Sequence, residues 1–390
     1  MLSTLTVTSI ADCGSGSLRA AIQAANTNSD SSNTIDFDLT GSSRVITLGS
    51  GELKIANQNP AVTSKSLTLT GPGANKLTIS GNHNSRVFDI TDGTVTIAGL
   101  TITDGWTTSD YISPQGVDYS KLGGGGILNT ADATLNLTSC SVVNNKAYAG
   151  AGLDVFGGGL LNLGTANVTA CTFTGNQVLN GSALSPPDFF GGSVGGAIDN
   201  FGTGTVGHGA TLTVTNSTFI NNQAIGAGGF YGIGGAIENN AGFKLDHPSS
   251  ATIRNSTFTN NLATAGPGGY GNGGAIDNEG TGAFMTLTNS RLIDNQSIGG
   301  YGAHGLGGGI LNAQGSTLIV TSSTFIGNQA IGGGSTSTPT FAFGGGINNT
   351  SAGLTVSDSS FFGNKALTRS PGGVAVGGGI ENGFYYVSGE

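Results

Sequence analysis

The chain has 390 residues, of which 71 are glycine and only 9% are Asp, Glu, Lys or Arg. A net charge of -9 without a basic stripe argues against a nucleic-acid partner. No apolar run reaches the roughly 18 residues that a membrane span requires, and no signal peptide is visible at the N-terminus.

The first predicted elements are a short strand at Leu5–Thr8 and a short helix after it. Ser17 is a suitable N-cap, and Asn26 is a suitable stop. Between them, apolar residues recur at helical spacing: Leu18, Ala21, Ile22 and Ala25. Because a stack of repeats needs its terminal coil covered, we interpret residues 1–30 as an N-terminal cap.

Residues 31–122 contain short β runs separated by turn signals, such as Gly71–Gly73. They lack the repeat signature of the later chain, so we predict the first, irregular coils of the same stack. Residues 106–122 are predicted to form an insertion that carries Trp106.

Residues 123–390 contain a tandem repeat. The signature Gly-Gly-[Gly/Ala]-[Ile/Leu]-x-Asn occurs eight times, at intervals of 33 to 39 residues. Its last position is Asn129, Asn162, Asn200, Asn239, Asn278, Asn312, Asn349 and Asn382. A second motif, Phe-x-x-Asn, lies between signatures at Phe173–Asn176, Phe219–Asn222, Phe258–Asn261, Phe325–Asn328 and Phe361–Asn364. A fixed period of this length predicts a stacked array of coils.

The repeat predicts an all-β fold, a right-handed parallel β-helix of about ten to eleven three-stranded coils with a short N-terminal capping helix. In each coil a signature strand is followed by a strand pair, and a glycine-rich loop of variable length returns to the next signature. Ile and Phe are expected to point inward and stack on their copies. The Asn rows suit an inward-facing amide ladder at a turn, and sugar recognition is the alternative interpretation.

The Gly-Gly-Ala-Ile and Phe-x-x-Asn motifs resemble the repeats of chlamydial polymorphic outer-membrane proteins, and more broadly the β-helix passenger domains of bacterial surface proteins. Gly16–Asn26 resembles the Cys-Ser-Leu-Arg-Glu-Ala-Ile cap segment of large secreted bacterial β-helix proteins. It departs from that segment in having Ala20 for Glu and Cys13 displaced upstream. The resemblance implies an extracellular or cell-surface role, often adhesion.

The residue before the signature Asn is acidic in three consecutive coils, at Asp199, Glu238 and Asp277. Stacking at about 4.8 Å brings these like charges together, which raises a pKa or recruits a cation. Three interpretations stay open: a solvated acidic stripe, a calcium site, and a catalytic site similar to those of β-helix polysaccharide lyases and hydrolases. Lys244 and Arg254 are the nearest candidates in sequence for the base of a lyase.

Aromatic residues recur in the variable loops. They are Tyr148, Phe156, Phe189, Phe190, Phe230, Tyr231, Tyr270, Tyr301, Phe341 and Phe343. Projecting along one edge of the rod, they would stack against sugar rings or form a protein interface. The alternative is that each ring folds back over its own coil. The four histidines, His83, His208, His247 and His304, fall at unrelated repeat positions and are interpreted as surface or turn residues.

Two of the three cysteines, Cys140 and Cys171, occupy the same repeat position. Stacked coils would bring them within disulfide reach. The alternative is a pair of small buried hydrophobic residues.

The C-terminal segment shows no polar cap or closing helix. We therefore expect one of two arrangements: the natural chain continues, or an open end associates with another chain through Phe384, Tyr385, Tyr386 and Val387. End-to-end contacts of this kind build filaments.

The sequence thus favours a bacterial extracellular structural or adhesive protein over an enzyme. Its expected partners are itself, through end-to-end assembly, or a glycan or protein of a cell surface. The alternative is a lyase or glycoside hydrolase that acts on an acidic polysaccharide at Asp199, Glu238 and Asp277. No cofactor is expected apart from calcium at the same three acids.

Overall fold

The chain forms a parallel β-solenoid. The computed structural model describes residues 2–41, 44–109, 121–150, 154–181, 192–202, 209–242 and 248–383. Each strand pairs in parallel with its counterparts in the neighbouring coils. Five sheets, I to V in their order along one coil, therefore run the length of the rod. Within the described residues, no helix has the length and apolar character needed to cross a membrane.

Sheets I, II and III enclose the main core. Sheet I contains the signature strands Leu53–Ile55, Phe88–Ile90, Ile127–Asn129, Leu160–Asn162, Ile198–Phe201, Ile237–Asn240, Ile276–Glu279, Ile310–Ala313, Ile347–Thr350 and Ile380–Asn382. Sheet II contains Leu2–Val7, Ser32–Phe37, Ser66–Thr70, Gly93–Ala98, Ala133–Thr138, Thr165–Thr169, Thr211–Thr215, Ser250–Arg254, Phe284–Thr288, Thr317–Thr321 and Gly353–Ser357. Sheet III contains Arg44–Thr47, Leu77–Ser80, Thr101–Thr103, Ser141–Val143, Thr172–Thr174, Thr218–Ile220, Thr257–Thr259, Arg291–Ile293, Thr324–Ile326 and Ser360–Phe362.

Sheets IV and V lie outside this core. Sheet IV contains Trp106–Ser109, Lys146–Ala149, Gln177–Asn180, Gln223–Ile225, Leu262–Thr264, Gln296–Ile298, Gln329–Gly332 and Lys365–Thr368. Sheet V contains Val155–Phe156, Gly192–Val194, Tyr231–Ile233, Gly271–Asn272, Gly305–Leu306, Phe341–Phe343 and Val374–Val376.

The main core is built from identical side chains stacked along the rod. Phe219 and Phe258 are fully buried, and their ring centroids lie 4.7 Å apart with nearly parallel planes. Phe173 continues this stack, 5.1 Å from Phe219. Because parallel strands in register place each ring directly over the next, burial and ring contact stabilise the same geometry.

Two asparagine ladders mark the corners of the core. In the first, from Asn129 to Asn382, each side-chain Nδ2 donates to the Oδ1 of the next coil at 2.6–2.7 Å. In the second, from Asn145 to Asn364, the corresponding distances are 2.8–3.0 Å. The amides thereby satisfy each other where water is excluded.

The predicted capping helix is confirmed over Leu18–Thr27. Ser17 is its N-cap, and the Ser17 side chain accepts a hydrogen bond from the Ala20 N–H at 3.2 Å. At the other end, Lys65 Nζ donates to the carbonyl oxygens of Ala25 at 2.6 Å and Asn28 at 2.8 Å. The lysine thus satisfies carbonyl groups that have no partner within the helix.

The β-solenoid prediction is confirmed, with two differences. It has about nine complete turns rather than ten to eleven, because the turns at both ends lack strands in some sheets. In addition, seven coils have five strands rather than three. The supposed glycine-rich loop supplies sheets IV and V, and the supposed insertion at 106–122 begins with the first strand of sheet IV, Trp106–Ser109. The right-handed sense of the coil stays a prediction.

Glycine lets sheets IV and V approach almost backbone to backbone. A Cβ added to Gly271 of sheet V would lie 2.5 Å from the backbone N of Ile298 in sheet IV, and one added to Gly305 would lie 2.3 Å from the carbonyl O of Ile331. These glycines therefore serve close packing between strands, which the sequence alone presents as loop composition.

The three cysteines are free thiols. Cys140 and Cys171 are buried in adjacent coils, with the Cys140 N–H 3.4 Å from Cys171 Sγ, whereas Cys13 is exposed. We expect a thiol reagent to label one thiol per chain in the native protein and three after unfolding without reductant. Measuring both stoichiometries by mass spectrometry tests this. Two thiols that stay unlabelled in the unfolded chain would instead indicate a disulfide.

Candidate functional site

The three predicted acids stack on sheet I, where Asp199 pairs in register with Glu238, and Glu238 with Asp277. Their strand neighbours Ile198 and Asn200 belong to the core side, so the acidic side chains point outward from the main core. All three are nevertheless 0% exposed. The interpretation as a solvated acidic stripe is therefore wrong.

Sheet V buries this outward face of sheet I. In the two preceding coils the same position is Leu128 and Leu161, which pack in a second apolar cluster with Phe156, Val194 and Ile233 of sheet V. The outer sheets thus place the acids between two layers of strands. Sequence reasoning missed this burial because it treated the covering segment as loop.

A groove of about 300 Å³ opens between sheets I and V beside the acids. The strands of sheet V, with the residues just before two of them, contribute Asp154, Phe156, Val194, Tyr231, Ile233, Tyr270 and Asn272. Sheet I and the turns after it contribute Phe201, Glu238, Asn240, Gly242, Glu279, Gly280 and Gln314. Asp154 and Glu279 were not among the predicted site residues. Glu279 could have been found from the sequence, because residues two apart in a strand lie on the same face, and Glu279 follows Asp277 by two residues.

Hydrogen bonds position the carboxylates that line the groove. Asn240 Nδ2 donates to Glu238 Oε1 at 2.9 Å and to Glu279 Oε1 at 3.3 Å. Gln314 Nε2 donates to the other oxygen of Glu279 at 3.2 Å. Across the groove, the Gly192 N–H donates to Asp154 Oδ1 at 2.7 Å. One amide therefore links two carboxylates, and further donors orient the groups at the rim.

Several carboxylate oxygens behind the groove have no hydrogen-bond partner among the residues that the structure describes. They are both oxygens of Asp199, both of Asp277, and Glu238 Oε2, all buried. Leaving a buried polar atom unpaired costs about 1–3 kcal/mol, and more for a charged group. Such a cluster favours a proton or a ligand that supplies the missing interaction.

Burial raises the pKa of every acid around the groove. The pKa values of Asp199, Glu238 and Asp277 are raised well above the usual range by desolvation and then by neighbouring negative charges. Burial also raises the pKa of Asp154 to about 7. For Glu279, burial and then the charge of Asp154 raise the pKa to about 7. These groups thus hold protons at pH values where exposed carboxylates do not.

Among the described residues, the groove contains neither a base for a lyase nor a calcium site. None of the described residues that line the groove is Lys or Arg. Arg254 lies at an exposed position of sheet II, away from the acids, and Lys244 lies outside the described residues. Within the described chain, no three His, Cys, Asp or Glu side chains converge as metal ligands. The three predicted calcium ligands are instead spread over three coils along the rod.

An aromatic column runs along sheet V next to the groove. Tyr231, Tyr270, His304 and Phe341 occupy one register position, with successive ring centroids 5.3, 4.8 and 4.8 Å apart. His304 is 7% exposed, and its Nδ1 accepts a hydrogen bond from the Phe341 N–H at 3.2 Å. Its interpretation as a surface or turn histidine is therefore wrong, and burial lowers its pKa.

The remaining predicted aromatic residues do not form a single row. Phe156, Phe230 and Phe343 are buried and cover the solenoid, Tyr148 is half-buried in sheet IV, and Tyr301 is 56% exposed. Phe189 and Phe190 lie outside the described residues, as do Phe384, Tyr385, Tyr386 and Val387. The interpretation that rings fold back over the coil thus holds for Phe156, Phe230 and Phe343. Tyr231 and Tyr270 instead line the groove.

Comparison with known proteins adds a weak structural likeness. No protein-family model matches this sequence, and no curated protein matches it. Among solved structures, the chain is similar to "Geobacillus virus E2 - ORF18", with 11% identity and a TM-score of 0.29. The likeness covers 94% of this chain and 61% of that chain, so this chain spans less than two thirds of its neighbour's length. It carries no argument about function.

Proposed function

We propose that the protein is an extracellular, glycan-binding β-solenoid whose binding site is the groove between sheets I and V. The observation that carries the proposal is the combination, in one groove, of aromatic rings with the carboxyl oxygens of Asp154, Glu238 and Glu279. Sugars present hydroxyl donors for such oxygens and apolar ring faces for aromatic side chains. The resemblance of the repeats to bacterial surface proteins supports an adhesive role outside the cell.

The groove also suits a linear polymer. Within the groove, the aromatic column contributes Tyr231 and Tyr270, whose ring centroids lie 5.3 Å apart, and sheet I contributes Glu238 and Glu279 from adjacent coils. A ligand that runs parallel to the rod would therefore meet similar groups at regular intervals. A glycan chain presents hydroxyl groups and ring faces in that way.

Binding is tested by a glycan array followed by calorimetric titration of the best ligand. We expect Tyr270→Ala to weaken binding about tenfold, because a lost ring contact worth roughly 1.4 kcal/mol has that effect. Tyr301→Ala is the matched control, since Tyr301 is exposed and does not line the groove. Equal affinity of both variants for the ligand would contradict the proposed site.

Glycoside hydrolysis is the second candidate function. Glu238 and Glu279 share the Asn240 amide, and the pKa of Glu279 is raised to about 7, as a general acid requires. The surrounding acids would repel an acidic polysaccharide, so this activity is expected on neutral or cationic chains. Product release from array ligands that is abolished by Glu279→Gln would support hydrolysis over binding alone.

End-to-end assembly stays a separate prediction, because Phe384–Val387 lie outside the described residues. Negative-stain microscopy of the full chain and of a truncation after Gly383 tests it. Filaments that persist after truncation would contradict a role for these four residues.

A further inference from the structure

We infer that the groove between sheets I and V selects glycans that carry protonated amines, such as polymers of deacetylated amino sugars. The inference rests on the proposed function, because it names the class of glycan that the groove binds.

The first support is the concentration of carboxyl groups around the groove. Asp154, Glu238 and Glu279 line it, and Asp199 and Asp277 lie directly beside Glu238 on sheet I. No described lining residue carries a positive charge that would compensate these carboxylates. A neutral sugar supplies hydroxyl donors only, whereas an ammonium group supplies donors and the opposite charge.

The second support is the aromatic lining. The rings of Phe156 from sheet V and Phe201 from sheet I stack at a centroid distance of 5.3 Å, and Tyr231 and Tyr270 contact each other on sheet V. An ammonium group is attracted to the face of an aromatic ring as well as to a carboxylate. Rings and acids in one groove therefore favour the same kind of ligand.

The third support is the fixed position of the Asp154 carboxyl group. Asp154, Gly192 and Tyr231 occupy one register position in successive coils of sheet V. A Cβ at Gly192 would lie 3.2 Å from Ile233 Cδ1 and 3.9 Å from Asp154 Oδ1. A Cβ would thus be in tight contact with Ile233, and glycine at this position lets the Gly192 N–H hold Asp154 Oδ1 at 2.7 Å, which fixes this carboxyl group at the wall of the groove.

Proton linkage distinguishes a cationic ligand from a neutral one. The groups that face the groove are Asp154, Tyr231 and Tyr270 from sheet V and Glu238 and Glu279 from sheet I. Asp199 and Asp277 lie beside Glu238, and His304 is stacked on Tyr270. Because the pKa values of Asp154 and Glu279 are raised to about 7, both are partly protonated near neutral pH. A bound ammonium lowers their pKa values and releases protons, whereas a neutral ligand does not.

The test titrates the full chain with three oligosaccharides of equal length: glucosamine, N-acetylglucosamine and a uronic acid. Calorimetry near pH 5.5, where both the sugar amines and the carboxyl groups of Asp154 and Glu279 are largely protonated, measures affinity and proton release together when it is run in two buffers with different ionisation enthalpies. We expect the glucosamine oligomer to bind at least tenfold more tightly than the N-acetylated one and to release protons, and the uronic acid oligomer to bind least.

Variants distinguish binding at the groove from nonspecific attraction of a cation to the negatively charged protein. Asp154→Asn and Glu279→Gln are each expected to lower affinity for the glucosamine oligomer at least fivefold. Asp294→Asn removes one negative charge at an exposed position outside the groove and is expected to leave that affinity unchanged. An equal loss in all three variants would show nonspecific attraction and overturn the inference.

The outcomes for ligands keep the two proposals apart. If the N-acetylated oligomer binds as tightly as the glucosamine oligomer, or more tightly, selection for amines is wrong while glycan binding stands. If neither these oligomers nor any neutral glycan on the array binds, the proposed function fails and the inference fails with it.

Discussion

Phe258→Ala is expected to lower the free energy of unfolding by about 3–5 kcal/mol. The Phe258 ring is 0% exposed and is stacked at 4.7 Å on Phe219 in the main core. Truncation leaves a cavity, and the ladders of asparagine and backbone hydrogen bonds prevent the coils from closing it. Urea denaturation followed by circular dichroism measures the change.

Phe284→Ala is the matched control for this prediction. Phe284 lies on sheet II of the following coil and is 41% exposed. Its replacement is expected to change stability by less than about 0.5 kcal/mol, as for most surface positions. Similar losses for the two variants would contradict the placement of the Phe-x-x-Asn ring in the core. Because each coil contacts only its neighbours, the loss at Phe258 is expected to be local.

The second large effect concerns the buried acids. The double variant Glu238→Gln, Asp277→Asn is expected to be more stable than the wild type at pH 8, by on the order of 2–4 kcal/mol, and equally stable near pH 4. The amides keep the shape of the side chains and remove two charges from a site that desolvation and mutual repulsion make unfavourable for anions.

The sign follows from proton linkage. The folded-state pKa values of these acids are raised above those of the unfolded chain. At pH values between the unfolded-state and folded-state pKa, the native state therefore binds more protons than the unfolded chain. Their contribution to stability is complete below about pH 4 and is lost as pH rises through about 7, the value for Asp154 and Glu279, and beyond for the three fully buried acids. The stability of the wild type is therefore expected to fall between pH 4 and 8.

Urea denaturation of both proteins at pH 4, 6 and 8 measures this dependence. Asp294→Asn controls for the removal of an exposed acid, at a turn where equivalent coils carry Asn221 and Asn260. A wild-type stability that rises steadily from pH 4 to 8, or a double variant without a gain at pH 8, would show that the three acids are not buried together as described.

The repeat pattern made most of the fold predictable. A signature that returns every 33 to 39 residues places Ile, Phe and Asn at identical positions of stacked coils, and hydrogen bonding then aligns the copies. The capping helix could also be predicted from the sequence, because the N-cap Ser17 and the helical spacing of Leu18 and Ile22 are local signals. Sheets IV and V could not be predicted in this way, since their strands are two to four residues long and rich in glycine or alanine.

The candidate site was only partly predictable for the same reason. Asp199, Glu238 and Asp277 were recognisable because they share a repeat position, and their stacking follows from the parallel register. Their burial was not recognisable, because it depends on sheet V. Asp154 carries no repeat signature at all, and its position opposite Glu279 arises only when the outer strands fold over sheet I.

The sequence by itself therefore determined the solenoid, its asparagine ladders, its stacked phenylalanines and the row of three acids. These features are periodic. Because the coils are parallel and in register, residues that share a repeat position contact each other along the rod. Only the tertiary structure decided that the acids are buried, that aromatic rings line a groove beside them, and that Asp154 and Glu279 complete it. Those contacts join different sheets of the coil, and their geometry depends on how closely glycine lets the outer strands pack.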